Sequence, residues 1–212
     1  MADFILSETM EKYRAEIELF NRAFNLVGDD TREGITNHIR DSLAALDIIR
    51  ALVAQRRENG GAVPLGGKPL IADIGSGSGF PGIPLAAAMP DVAFVLVERM
   101  EKRAAFLENC AAVLHLSNVS VENSEAEHLS KGRFDLCVFR AFHPFNKQTT
   151  KLLLSLLAPS GCLVAYKGKR DKIQAELQDI ASLIPPNGMC RIEKLDTSFL
   201  PEHERHLVII ST

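Results

Sequence analysis

A glycine-rich turn between an apolar strand and a helix start constrains this 212-residue chain more than any other feature. Residues 71–74 (Ile-Ala-Asp-Ile) are typical of a buried strand, and Gly75, Gly77 and Gly79 follow at alternate positions. Glycine tolerates a positive φ and lets backbone N–H groups come close to a ligand. The turn predicts a strand–loop–helix unit with a ligand at the loop, and the alternative is a tight turn that binds nothing.

Two carboxylates indicate what kind of ligand the loop would bind. Asp73 precedes the glycines, and Glu98 closes a second apolar run, residues 92–97, lying 19 residues after Gly79. A carboxylate at that offset in a βαβ unit accepts hydrogen bonds from ribose hydroxyls. Asp73 would repel a pyrophosphate, whereas it suits the sulfonium and ammonium groups of S-adenosylmethionine. We therefore predict S-adenosyl-L-methionine as cofactor and S-adenosyl-L-homocysteine as product.

Composition limits the other possibilities. With 46% hydrophobic residues, the chain fits one α/β domain and an N-terminal addition. It begins without a basic, apolar leader and contains no run of about 18 apolar residues, so we expect a cytoplasmic monomer without membrane contact. The four cysteines are widely spaced without a C-x-x-C pair, which predicts free thiols and no metal site.

The charge is distributed unevenly along the chain. Its formal net charge is −3, yet residues 128–172 carry nine basic residues against two acidic ones, a local charge of +7. A basic face of this kind attracts phosphates regardless of the charge of the whole chain. RNA therefore stays open as a partner, and the alternative is that these side chains only solvate helices.

The order of the elements predicts a doubly wound α/β fold. Apolar residues at helical spacing predict two amphipathic helices, one over 10–27 and one over 35–53, before a glycine-rich connection at 58–67. We accordingly divide the chain into a helical cap and linker, 1–66, and a Rossmann-like domain, 67–212. Strands are predicted near 69–74, 92–97, 119–122, 134–139 and 161–167, and helices from 81 and over 100–115, 145–157 and 171–183.

The end of the chain departs from this alternation. Residues 190–195 and 206–210 are two strands without a helix between them, so we expect them to pair antiparallel. A mostly parallel seven-stranded sheet that ends in an antiparallel hairpin is typical of class I S-adenosylmethionine-dependent methyltransferases.

Candidate site residues follow the strands, because ligands of open α/β sheets bind beyond the carboxyl ends. Ala126 and Glu127 either hold the adenine or begin a helix, and Phe80 either lines the cofactor or packs the next helix. Arg140 ends an apolar strand, which would bring a guanidinium to the ligand edge. Three further residues keep both a functional and a structural interpretation, namely His38, Asp41 and Arg205.

The chain carries no N-P-P-Y or D-P-P-Y run of the kind that amino-group methyltransferases use. Guanine N7 has a free lone pair, so an enzyme that methylates it needs alignment and electrostatics rather than a general base.

Several motifs together resemble one family. Residues 73–85 match D-x-G-[ST]-G-x-G-x-P-G-I-P-L, and shorter matches are N-L at 25–26, H-I-x-D-S at 38–42, K-R-x-x-F-L at 102–107, R-A at 140–141, K-G at 167–168 and R-H-L-V at 205–208. The chain thus resembles the GidB family (glucose-inhibited division protein B, also called RsmG) of 16S ribosomal RNA guanine-N7 methyltransferases. It departs from the family at Val27, Glu98 and Phe139, where threonine, aspartate and a small residue are usual.

The resemblance implies methylation of guanosine N7 at position 527 of 16S ribosomal RNA, either as RNA or within a precursor of the small ribosomal subunit. The residues that we assign to catalysis and RNA positioning are Arg140, Lys167 and Arg205. Those that we assign to the cofactor are Asp73, Gly75, Gly77, Gly79, Phe80, Glu98, Ala126, Glu127 and Arg140. Two alternatives are a small-molecule methyltransferase and a non-catalytic RNA-binding protein that retains the cofactor pocket, and Asp73 disfavours an NAD-dependent oxidoreductase.

Overall fold

A computed structural model describes residues 6–58, 67–140, 144–184, 188–199 and 204–212. The N-terminal part contains helices α1 (Glu8–Phe24), α2 (Arg32–Leu43) and α3 (Leu46–Glu58). Side chains cap the first two helices, since Ser7 accepts a hydrogen bond from the Met10 N–H and Thr31 accepts one from the Gly34 N–H. The predicted linker lies almost entirely outside the described residues.

The prediction of one helix over residues 35–53 is wrong. Helix α2 ends at Leu43, and α3 begins at Leu46 after a two-residue turn. The apolar spacing does not reveal this break, because Ala45 in the turn is itself fully buried. Burial therefore continues from one helix to the next while the backbone hydrogen-bond pattern is interrupted.

The remaining elements form the predicted α/β alternation. The strands are β1 (Leu70–Ile74), β2 (Ala93–Val97), β3 (Val119–Glu122), β4 (Phe134–Arg140), β5 (Leu157–Lys167), β6 (Cys190–Lys194) and β7 (His206–Ser211). The helices are α4 (Gly82–Ala88), α5 (Glu101–Val113), α6 (Lys147–Leu156) and α7 (Arg170–Ile180), with short 3-10 helices at Ala126–His128 and Ala181–Leu183.

The seven strands form one sheet in the order β3-β2-β1-β4-β5-β7-β6. The first five strands are parallel, whereas β7 runs antiparallel between β5 and β6. This arrangement confirms the predicted sheet and its antiparallel C-terminal hairpin. Because β7 is antiparallel, its first residue His206 pairs with Lys167, the last residue of β5, at the edge where the parallel strands end.

One strand is longer than predicted. Strand β5 begins at Leu157 rather than near 161, because Leu157 pairs with Phe134 before a register shift in the β4–β5 ladder. Ser160 has a positive φ of 59° at this irregularity. Sequence periodicity is lost there, so the predicted helix 145–157 includes Leu157, and residues 158–160 are predicted in neither element.

Alternate residues of the central strands enter different hydrophobic clusters. In β4, Cys137 and Phe139 pack with α6 and α7, while Leu136 and Val138 pack with α3 and α4. A third cluster joins α1 and α2 to α4, α5 and Leu96 of β2. The N-terminal helices thus share their apolar core with the sheet.

Polar contacts also fix the N-terminal helices to the sheet. Arg56 of α3 donates to Asp135 of β4 over 2.8 Å, and both side chains are buried. Removing one partner of such a pair typically costs about 3–5 kcal/mol. The chain has two tyrosines, and each joins the N-terminal helices to the rest of the protein by donating to a backbone carbonyl. Tyr13 of α1 donates to Ser78 over 2.6 Å, and Tyr166 of β5 donates to Ser42 of α2 over 2.7 Å.

Among the described residues, no helix is both long and apolar enough to cross a bilayer. In the same part of the chain, histidine, cysteine and carboxylate side chains form no group of three suited to a metal ion. Cys110 and Cys137 are buried free thiols, as expected, whereas Cys162 and Cys190 are partly exposed.

Candidate active site

The glycine loop contains two kinds of glycine. Gly75, Gly77 and Gly79 all have positive φ values, of 69°, 59° and 96°. A Cβ on Gly77 would meet, among the described residues beyond its chain neighbours, only the Gly75 carbonyl oxygen, at 3.8 Å. A Cβ on Gly79 would lie 2.7 Å from both the Tyr13 hydroxyl and Ile83 Cγ1. Gly77 therefore faces open space, whereas the Cα of Gly79 packs against the protein interior and leaves no room for a cofactor on that side.

Asp73 fixes the conformation of the glycine loop through hydrogen bonds. Its side chain is fully buried, and its Oδ2 accepts hydrogen bonds from the Ser76 hydroxyl over 2.7 Å and the Gly82 N–H over 2.9 Å. Burial raises the pKa of Asp73 to about 6. Its Oδ1 is buried without a hydrogen-bond donor among the described residues. Asp73 thus organises the backbone around the glycines, and one acceptor oxygen remains under the loop.

Glu98 links the ends of β1 and β2. Its Oε2 accepts from the Gly77 N–H over 2.9 Å, and its Oε1 accepts from the Met100 N–H over 2.8 Å. The side chain is only 5% exposed. Each carboxylate oxygen has a lone pair for a further hydrogen bond, so these acceptors still fit the donating hydroxyls of a ribose. The glutamate reaches the glycine loop directly, which holds both parts of the predicted cofactor site together.

The turn after β3 lies beside this carboxylate. The Glu98 carbonyl oxygen accepts from the Ser124 N–H over 3.2 Å and from the Asn123 side chain over 2.9 Å. Ala126 follows as a buried residue and Glu127 as an exposed one in the short 3-10 helix. Both predicted adenine contacts are therefore next to the predicted ribose site.

Arg140, Lys167 and Arg205 line one cavity of about 460 Å³ at the carboxyl ends of the parallel strands. Asp41 holds two of them, because its Oδ2 lies 2.9 Å from Arg140 Nη1 and its Oδ1 lies 3.1 Å from Arg205 Nε. The Asp41 side chain is 4% exposed. One buried carboxylate from α2 thus orients two guanidinium groups from β4 and the segment before β7.

Lys167 is held on the other side of the same cavity. Its Nζ lies 2.7 Å from Glu176 Oε2 of α7 and 4.4 Å from the centre of the Phe145 ring. The same Glu176 oxygen accepts from the Phe145 N–H over 2.8 Å. Two carboxylates and three cations therefore surround the cavity, which leaves a net positive site.

Phe80 lies between the glycine loop and the cavity. Its ring centre is 4.8 Å from Arg140 Cζ, 5.5 Å from the His38 ring and 5.3 Å from the Tyr13 ring. Burial, followed by the charge of Arg140, lowers the pKa of His38 to about 4, so the imidazole is neutral near pH 7. Phe80 thus packs against the N-terminal helices and borders Arg140, and its contact with the cofactor stays a prediction.

The basic segment 128–172 does not form a single face. Lys131 and Arg133 precede β4, so they lie at the amino end of the strand, opposite the cavity. Arg133 is also paired with Glu122. Lys169 and Arg170 follow β5 at the cavity edge and are exposed. The number of basic residues is as counted from the sequence. Because the strands are parallel, however, residues that precede a strand and residues that follow one lie at opposite edges of the sheet.

Sequence reasoning missed several contacts of the site. Glu176 lies nine residues after Lys167 on a helix with other polar residues, and no local motif marks it. The pairing of Asp41 with both arginines depends on residues about 100 and 164 positions away. The contact of Tyr13 with the glycine loop had one weak signal, namely a tyrosine on an otherwise apolar helix stripe.

Comparison with solved structures defines the class of the fold. An O-methyltransferase from Bacillus cereus in complex with SAH gives a TM-score of 0.62 at 16% identity, covering 100% of this chain and 94% of that chain. The O-methyltransferase TomG from Streptomyces achromogenes in complex with SAM gives a TM-score of 0.60 at 14% identity, covering 100% and 92%. The chain has the class I S-adenosylmethionine-dependent methyltransferase fold.

Sequence comparison identifies the family within that class. The family model described as rRNA small subunit methyltransferase G (GidB) matches residues 6–208. Ribosomal RNA small subunit methyltransferase G from Treponema denticola is 40% identical, with 97% of this chain and 86% of the relative covered. The protein of the same name from Cupriavidus pinatubonensis is 34% identical, with 96% and 85% covered. The chain belongs to the rRNA small subunit methyltransferase G family, which confirms the resemblance seen in the motifs.

Proposed function

We propose that this protein transfers a methyl group from S-adenosylmethionine to N7 of a guanosine in 16S ribosomal RNA, at position 527. The observation that carries the proposal is the cavity where Arg140, Lys167 and Arg205 converge, next to the glycine loop. Its volume of about 460 Å³ is within the range of roughly 300–1,000 Å³ typical of small-ligand sites. The substrate is 16S RNA or a precursor of the small subunit, and the protein acts in the cytoplasm as a monomer.

The residues around the glycine loop suit the cofactor. Glu98 would accept the ribose hydroxyls, the open side of Gly77 would receive the cofactor backbone, and Ala126 with Glu127 would border the adenine. Asp73 would act chiefly through the loop that it organises. The cofactor, when bound, supplies an electrophilic methyl group on a sulfonium. The positive charge of the sulfonium suits a site that contains carboxylates.

The cavity residues suit alignment rather than proton transfer. Guanine N7 carries no proton, so methylation of N7 requires no general base. Arg140 is fixed by Asp41 and by the Phe80 ring, which holds a planar donor group beside the glycine loop. Lys167 and Arg205 would bind the RNA backbone or the base, and none of the three groups would act as a base.

A transfer assay tests the proposed function directly. The purified protein is incubated with labelled S-adenosylmethionine and either small ribosomal subunits from cells lacking this protein, free 16S RNA or a panel of metabolites. We expect label only in RNA, in 7-methylguanosine. Label in a metabolite would indicate a small-molecule enzyme, and cofactor binding without any transfer would indicate a non-catalytic RNA-binding protein.

Arg140 variants supply the control for that assay. Arg140→Ala should reduce turnover by about a hundredfold or more if alignment is lost, while the protein stays folded because the residue lies at the cavity edge. Arg140→Lys should restore turnover only in part, because an ammonium lacks the planar fork of donors. A wild-type rate in Arg140→Ala would contradict the assigned role.

A further inference from the structure

Glu176 is the cavity residue whose chemistry the proposed reaction leaves unused. It projects from α7 into the cavity that Arg140, Lys167 and Arg205 line. Its Oε2 is occupied by the Phe145 N–H and by Lys167 Nζ, over 2.8 and 2.7 Å. Its Oε1 has no donor within the part of the chain that the structure describes, and the side chain is 22% exposed. Glu176 thus lines the cavity with its Oε2 held in place and its Oε1 left as an acceptor.

Among the described charged side chains that line the cavity, only Glu176 has an acceptor oxygen without a hydrogen-bond donor. Arginine and lysine side chains are donors only. Both oxygens of Asp41 are engaged by Arg140 and Arg205. The Gly168 carbonyl oxygen lies 2.7 Å from His206 Nδ1. Glu176 therefore offers the cavity one charged acceptor oxygen, Oε1, to which no described residue donates a hydrogen bond, while its Oε2 is already engaged.

Guanine requires such an acceptor on one of its edges. N7 and O6 on one edge of the base accept hydrogen bonds, while N1–H and the 2-amino group on the opposite edge donate them. A carboxylate matches the two donors, and adenine lacks this pair. Recognition of guanine at a buried site would leave these donors unpaired unless an acceptor is present.

The sheet order places Glu176 on the correct side. The glycine loop follows β1, Arg140 ends the neighbouring strand β4, and Lys167 ends β5 one strand further away. N7 must face the glycine loop to receive the methyl group. The opposite edge of the base then faces β5 and α7, where Glu176 pairs with Lys167.

We propose that Glu176 is the residue that selects guanine, by accepting hydrogen bonds from N1–H and the 2-amino group of the target base. This inference rests on the proposed function of the site. In the transfer, the N7 lone pair forms the new bond to carbon, and the sulfur–carbon bond breaks with its electron pair left on sulfur. The positive charge moves from sulfur to the purine, and no proton leaves N7.

The movement of charge makes the contact stronger as the reaction proceeds. A cationic purine is a better N1–H donor than a neutral one, so the carboxylate binds the transition state more tightly than the ground state. Glu176 is thus assigned a role in turnover as well as in selection of the base. Loss of a residue that only held Lys167 and Phe145 would slow turnover on every base alike and would leave base selection unchanged.

The test compares guanosine with inosine, which lacks only the 2-amino group. RNA carrying either nucleoside at the target position is prepared by ligation, assembled into small subunits and methylated by the full-length protein. The wild-type protein should prefer guanosine by about ten- to a hundredfold in kcat/KM. In Glu176→Gln and Glu176→Ala the preference should fall toward one, with affinity for S-adenosylhomocysteine unchanged.

Asp179→Asn is the matched control, because Asp179 is an exposed carboxylate on the same helix. This variant should keep the wild-type preference for guanosine. Equal rates on guanosine and inosine in the wild-type protein would overturn the inference, and so would Glu176 variants that slow both substrates by the same factor. Absence of transfer to guanosine RNA by the wild-type protein would overturn the proposed function and this inference together.

Discussion

Alanine at Gly77 and at Gly79, two loop glycines with Ser78 between them, should separate a folding role from a ligand-facing role. Both positions have a positive φ, and a left-handed conformation costs an L-residue about 1–2 kcal/mol. Gly77→Ala incurs only this cost, because among the described residues beyond its chain neighbours only the Gly75 carbonyl oxygen lies within 4 Å of its Cβ. Gly79→Ala also places a methyl group 2.7 Å from the Tyr13 hydroxyl and Ile83 Cγ1. Overpacking of this kind adds about 1–3 kcal/mol.

The expected loss in the free energy of unfolding is therefore about 1–2 kcal/mol for Gly77→Ala and about 2–5 kcal/mol for Gly79→Ala. Urea unfolding curves measure both values, and calorimetry with S-adenosylhomocysteine measures binding. Gly77→Ala should lose most of its affinity at a small cost in stability, because its methyl group projects into the ligand side. Gly77→Val should abolish binding, and neither the wild-type protein nor this variant should bind NAD.

A double variant examines the physical cause. Tyr13→Phe removes the hydroxyl that the new methyl group would meet, so its effect and that of Gly79→Ala should be less than additive. Equal destabilisation by the two alanine substitutions would refute the reasoning. Strict additivity of Tyr13→Phe with Gly79→Ala would refute it as well.

The remaining predictions concern charge. Asp41→Asn should reduce RNA turnover by about tenfold or more with cofactor affinity unchanged, whereas Asp47→Asn, at a side chain 98% exposed, should change neither. Lys169→Ala combined with Arg170→Ala should lower the slope of log affinity for RNA against log salt by about 1–2, because two phosphate contacts are lost. Lys131→Ala, at the opposite edge of the sheet, should leave that slope unchanged. A salt-independent affinity of the wild-type protein for RNA would contradict phosphate binding by the basic residues at the cavity edge. The pKa of His38 is about 4 in the folded protein and 6.5 when unperturbed, so between these pH values the unfolded chain binds more protons than the folded protein does. The contribution of His38 to stability therefore rises with pH across that window. The stability difference between wild type and His38→Gln should therefore shift in favour of the wild type from pH 4 to 6.5 and be flat above; a difference independent of pH would contradict the buried, neutral imidazole.

The strand and loop pattern was predictable because it depends on neighbouring residues. Alternating glycines after an apolar strand, and Glu98 after the next strand, identified the loop and its acidic partner. The antiparallel end of the sheet followed from the lack of a helical pattern in the sequence between residues 195 and 206. These features are encoded within about 30 residues of one another.

Features that depend on distant contacts were not predictable in the same way. Gly79 differs from Gly77 because Tyr13, 66 residues earlier, packs against it. The separation of Lys131 from Lys169 follows from the direction of the strands rather than from the charge pattern. Glu176 enters the cavity only because α7 packs beside β5, and the break between α2 and α3 is hidden by the burial of Ala45.

Mass mapping of 16S ribosomal RNA tests the central claim most directly. RNA is compared from cells with this protein, from cells without it, and from cells in which it is replaced by Arg140→Ala at equal abundance. The account predicts one 7-methylguanosine, at position 527, that is present with the wild-type protein and lost or strongly reduced in the other two. An unmethylated guanosine in the presence of the wild-type protein, or full methylation without it, would contradict the account.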